Sequence, residues 1–178
     1  MKNIHSCDRA ASSVDNPRGF SGFVGRARPS RGTTNLNTIT YHNGPVMTKP
    51  VTAYIVWYGN WPASHPALTI VPEFLSNIGN SAWWNILTTY YDNSAVGGAK
   101  VSPTVTFAKS TTVGYTKGTN PSNADIQSVV TTAISSGALP GDVNGVYFVL
   151  SSADVNQNSG FCTNYCGWHT NTNMAGVV

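Results

Sequence analysis

The sequence predicts an α/β fold, a layered sheet of mixed strands with flanking helices. Three observations carry that prediction. Two apolar runs, 51–58 and 146–150, are β-branched and aromatic almost throughout. Segments with helical apolar spacing lie between them, and strands alternating with helices give layered α/β architecture. The 178 residues suffice for one domain with a real core.

Residues 1–34 read as a disordered, basic N-terminal arm. Asn16-Pro17-Arg18-Gly19 and Arg28-Pro29-Ser30-Arg31-Gly32 are breaker clusters. The domain is expected over 35–178, beginning with a half-exposed strand at 36–41. Asn43-Gly44-Pro45 turns the chain into 51–58, whose continuous apolar character predicts burial on both faces. Leu68, Val71, Leu75 and Ile78 then fall on one helical face. Pro72 lacks an amide donor, so a first-turn position is expected for it.

Ser81 is the predicted cap of a second helix with Trp84, Leu87 and Tyr91 on one face and Trp83, Ile86 and Tyr90 beside them. Aromatic pairs at that spacing usually belong to a core; a sugar-stacking platform is the alternative. Asp92-Asn93-Ser94 and Gly97-Gly98 form a loop without a calcium-loop pattern. Residues 101–108 alternate as a strand, and 111–115 pair with it or form a neighbouring edge. Ser122-Asn123-Ala124-Asp125 is a capping-box variant ahead of a helix bearing Ile126, Val129, Val130, Ala133 and Ile134, closed by Gly137. Pro140-Gly141-Asp142 leads into 146–150, read as another buried strand.

Charged residues are only 10% of the chain, against roughly 25% in typical soluble proteins. A surface solvated by hydroxyls and amides suits a secreted protein. The net charge of +3 resides in the arm: residues 1–40 hold six Lys or Arg against two Asp, and the remainder holds four Lys against five acids. With no basic helix and no aromatic stacking pattern, this composition describes a soluble leader and not a nucleic-acid partner. No run of 18 apolar residues exists, so no membrane span is expected. No signal peptide is evident in the first thirty residues.

The chemistry-bearing segment is Gly160-Phe161-Cys162-Thr163-Asn164-Tyr165-Cys166-Gly167-Trp168-His169. Cys162 and Cys166 are a disulfide candidate, or either thiol pairs with a cysteine beyond Val178; with His169 they are weak metal candidates. Structural zinc needs four ligands, usually in two close pairs, and the third cysteine, Cys7, lies in the arm. Disulfide is preferred on composition. Asp154 follows the last strand, where α/β folds often place chemistry, although an Asx-turn or cap is its simpler use. No zincin helix, nucleophile elbow or phosphate loop is present. No catalytic site can be assembled, and no cofactor is implied.

Five segments in order carry a resemblance: 41–47, 55–59, 146–155, Gly160-Phe161-Cys162, and Cys166-Gly167-Trp168-His169. Over roughly 36–169, with Trp83-Trp84 and Tyr90-Tyr91 also in place, the chain resembles the phosphate-induced protein 1, or EXORDIUM-like, family. The resemblance implies an extracellular or cell-wall (apoplastic) protein tied to growth and cell expansion, without a defined reaction. Its partners would be wall polysaccharide or another secreted protein, with Trp57, Trp61, Trp83 and Trp84 as ligand-contact aromatics. Some microbial relatives carry a metallopeptidase-like His-Glu helix. No position here matches it, so the alternative of a degenerate or incomplete metallohydrolase receives no residue. The family pattern also implies that this chain is the N-terminal half of a member, and that an exposed sheet edge promotes self-association.

Overall fold

The computed structural model describes residues 46–92, 98–162 and 164–171. The basic arm, the strand expected at 36–41, Asn43-Gly44-Pro45 and most of the loop after Asp92 lie outside them.

Six elements follow in the order β1 (Val51–Tyr58), α1 (Ala67–Asn77), α2 (Ala82–Leu87), β2 (Val105–Val113), α3 (Asn123–Ser135) and β3 (Gly145–Ser151). The described strands form one sheet in the order β2-β1-β3, and β1 is parallel to both neighbours. The α/β architecture is therefore present.

β1 is the central strand, and its sequence explains why. Alternate side chains enter two different cores. Tyr54, Val56 and Tyr58 join Val129, Ala133, Leu139 and Val155 on the α3 side. Ala53, Ile55 and Trp57 join Leu75, with Leu68, Val71 and Phe107 packed against them. Ile55, Val56 and Tyr58 have no exposed surface.

β2 runs longer than the alternating stretch suggests. The expected strand at 101–108 and the edge at 111–115 are one strand from Val105 to Val113, with a register shift opposite Ala53/Tyr54. β3 departs from its expectation as well. Its apolar run lies at the edge of the described sheet and is half-buried, with Phe148 38% exposed. Adjacent Tyr54 and Tyr147 stack at 4.9 Å, and Tyr54 donates to Asp142 Oδ2 at 3.0 Å.

α1 contains Pro72 in its interior rather than its first turn. The helix starts earlier, at a turn in which Leu68 and Thr69 donate to the His65 and Pro66 carbonyls. Interior proline costs about 3 kcal/mol or more, opposed here by burial of the Leu68, Val71 and Leu75 face. α2 starts as expected: Ser81 Oγ accepts from the Trp84 amide at 3.1 Å. It lasts only six residues and has no buried residue. α3 has the full capping box between Ser122 and Asp125. Ser122 lowers the Asp125 pKa, first through its hydroxyl and then through its amide.

Candidate functional site

All three described strands end at one edge of the sheet. Because the chain passes from β1 to β2 on one side and then crosses back over β1 to β3 on the other, the crevice outside the carboxyl ends of β1 and β3 is the usual ligand position of such sheets. The chain stitches this crevice tightly. The Ser152 amide donates to the Tyr58 carbonyl and the Gly59 amide to the Val113 carbonyl, each at 2.9 Å. The Asn60 amide donates to Ser152 Oγ at 3.0 Å. Gly59 has φ 98°, and a Cβ there would sit 2.1 Å from Ser152 Oγ. Only glycine fits both demands.

Ser152 Oγ donates in turn to Asp154 Oδ1 at 2.6 Å, and the Tyr115 hydroxyl donates to Asp154 Oδ2. These bonds, from Ser152 first and Tyr115 second, hold the Asp154 carboxyl below its usual range, while the same carboxylate raises the Tyr115 phenol. A carboxylate so stabilised stays ionised near neutrality and is unsuited to donate a proton there. The cluster ties together the segments after all three strands. Val155 also closes a turn onto the Ser152 carbonyl at 3.0 Å. Sequence singled out Asp154 alone; Gly59, Asn60, Tyr115 and Ser152 came to light only through the strand order. Polar residues directly after each strand run were the available signal.

The four tryptophan candidates separate. Trp57 is buried and meets Trp61 edge-on at 4.8 Å. Trp61 is half-buried, donates to the Tyr58 carbonyl at 3.0 Å and meets the His65 ring edge-on at 4.9 Å. Trp84 is half-buried and donates to the Ser102 carbonyl at 3.0 Å. Trp83 alone of the four is largely exposed, at 61%. It lines an open cleft of about 410 Å³ with Phe74, Asn77, Ile78 and Ser81. Phe74, Ile70, Ile86, Tyr90 and Tyr91 are exposed too. The expectation that the aromatic pairs are core therefore fails for Trp83, Tyr90 and Tyr91. α2 ends at Leu87, so the tyrosines fall outside the helical face that the spacing assigned to them.

The closing segment docks through Gln157, which is buried. Its amide donates to Asn123 Oδ1 at 2.5 Å, and its carbonyl oxygen accepts from Trp168 Nε1 at 3.2 Å. The turn closes through Asn164 to the Gly160 carbonyl (2.8 Å) and Cys162 to the Tyr165 carbonyl (2.6 Å). The Phe161 and Tyr165 rings meet at 6.1 Å. Cys166 is a free, exposed thiol, so the expected Cys162–Cys166 bridge is not formed; backbone bonds and the ring contact close this turn instead. His169 is exposed. Among the described residues no group of three or more His, Cys, Asp or Glu is placed to hold a metal, so Cys162, Cys166 and His169 are not gathered into such a group. No described helix is long and apolar enough to cross a membrane.

Known proteins share this sequence pattern. The chain is 33% identical to Protein EXORDIUM-like 5 of Arabidopsis thaliana over 164 residues, covering 86% of this chain and 43% of that protein. It is 32% identical to Protein EXORDIUM-like 3 of the same plant over 150 residues, covering 78% and 43%. Protein EXORDIUM-like 1 is 26% identical over 149 residues, covering 77% and 45%. The chain thus spans less than half the length of these relatives. No solved structure matches it. The model of the phosphate-induced protein 1 conserved region matches residues 39–177, a span that contains β1 to β3, the clasp around Asp154 and the closing turn. On that match the chain belongs to the phosphate-induced protein 1 family.

Proposed function

We propose that this chain is an extracellular, growth-associated family member that acts by contacting cell-wall polysaccharide and not by catalysis. The observation that carries the reading is Trp83, a large aromatic ring left exposed beside Phe74 and the polar groups of Asn77 and Ser81. An aromatic face offers apolar area to the C–H face of a sugar ring, and adjacent amide and hydroxyl groups satisfy its hydroxyls. The scarcity of charge, 10% of residues, supports an extracellular surface.

Titration of the chain with cellohexaose and with a xyloglucan oligosaccharide, followed by tryptophan fluorescence, tests the reading. Saturable binding is expected, weakened at least about tenfold by Trp83→Ala. Absence of binding to both sugars, or unchanged binding by Trp83→Ala, overturns the polysaccharide role. Retention of the tagged whole protein inside plant cells overturns the extracellular one.

A further inference from the structure

A second concavity, separate from the Trp83 cleft, lies between the end of β2 and the second half of α3. Its volume is about 360 Å³, within the range of small-ligand sites. Val129 and Ala133, 2% and 4% exposed, contribute an apolar floor. Around it stand Thr111, which shares the α3 face of the sheet with its partner Val56, Thr116, Thr132 and Ser136, and one cation, Lys117. The Ser136 hydroxyl already donates to the Ala133 carbonyl at 3.2 Å, so it offers lone pairs to a ligand.

The wall carrying Lys117 is held in place before any ligand arrives. Fully buried Tyr58 accepts a hydrogen bond from the Lys117 amide at 2.9 Å and donates to the Gly118 carbonyl at 2.7 Å. Fixing a binding loop in advance removes part of the ordering cost of binding. The Lys117 charge helps lower the Asp125 pKa. That carboxylate is already committed to the α3 cap, accepting from the Ser122 amide at 2.9 Å and hydroxyl at 2.7 Å.

An apolar floor, a rim of hydroxyls and one ammonium group define a ligand with an apolar ring face, several hydroxyls and one negative charge. We propose that this groove binds a carboxylate-bearing sugar ring, a uronate unit of an acidic polysaccharide, with its carboxylate at Lys117. This site is independent of the Trp83 contact, so either can fail alone.

Isothermal titration of the whole chain with tri-galacturonate, its fully methyl-esterified form and neutral galactotriose tests the proposal. The acidic trimer is expected to bind at least about tenfold tighter than the ester or galactotriose. Lys117→Gln should lose at least about tenfold in affinity for the acid, Lys117→Arg should stay within about threefold, and Trp83→Ala should match the parent. Thr132→Val, which leaves the charge in place, should also weaken binding and covers the case in which Lys117→Gln does not fold. Undetectable binding of the acidic trimer, equal affinity for acid and ester, or full affinity in Lys117→Gln overturns the proposal. So does an equal loss in Lys109→Gln, which would report a diffuse charge effect.

Discussion

β1 and the α1–α2 region are both rich in large apolar side chains, yet they put them to opposite use. Ile55, Val56 and Tyr58 are wholly covered, whereas Ile70, Phe74, Trp83 and Ile86 are each 57–61% exposed. β1 has a parallel strand on either side and a core on each face. α1 commits only the Leu68, Val71 and Leu75 side to the sheet, and α2, at six residues with none buried, has no stripe of comparable depth. Apolar composition alone therefore does not separate core from surface. Position in the strand order does.

The largest expected effect comes from the covered side. Ile55→Ala should lower unfolding free energy by about 2–5 kcal/mol, through lost transfer energy and a cavity. Ile70→Ala should change it by less than about 0.5 kcal/mol. Urea titration of both variants checks the contrast, and similar losses would break it.

Next is the clasp at the carboxyl edge. Gly59→Ala places a methyl against Ser152 Oγ at a φ that disfavours L side chains, and should cost more than about 1–3 kcal/mol. Gly118→Ala also has a positive φ, but nothing lies within 4 Å of its Cβ. It should cost less, and an equal loss would show that strain, not the Ser152 collision, sets the requirement.

A smaller effect should appear on acidification. The Asp154 pKa is depressed in the fold, chiefly by Ser152 and then by Tyr115. Its contribution to stability is therefore complete above the unfolded value, about 3.9, and disappears as pH falls through the lower folded value. Asp154→Asn should flatten that part of the acid profile in thermal melts from pH 6 to pH 2, by less than about 1 kcal/mol because the group is exposed and screened. Asp125 is depressed for a similar reason, so the flattening should be partial. An unchanged profile would remove Asp154 from the account.

Trp83→Ala should have the smallest effect on stability, within about 0.5 kcal/mol, while weakening cellohexaose binding at least about tenfold. A large loss of stability would place Trp83 among the structural tryptophans with Trp57, Trp61 and Trp84.

What the sequence revealed was mostly local. The 51–58 run, the Ser81 cap and the Ser122–Asp125 box are each written within a few neighbouring residues, and all three appear. The edge position of β3 was hidden, because an apolar run does not say which strand lies beside it. Tyr115 and Asp154 are 39 residues apart, and only the parallel order β2-β1-β3 brings their segments together. The choice of Trp83 over Trp84 as the exposed ring depends on Ser102, 18 residues beyond Trp84, accepting its indole bond. Cys162 and Cys166 were conspicuous by spacing, but the backbone turn between them supplied its own closure.

Amide hydrogen exchange with and without saturating cellohexaose tests most directly whether the exposed aromatic face, and not the covered strand, meets the ligand. Added protection should be confined to residues 74–87, with β1 slow to exchange and unchanged. Protection appearing elsewhere and sparing 74–87, or none at saturation, would contradict the account.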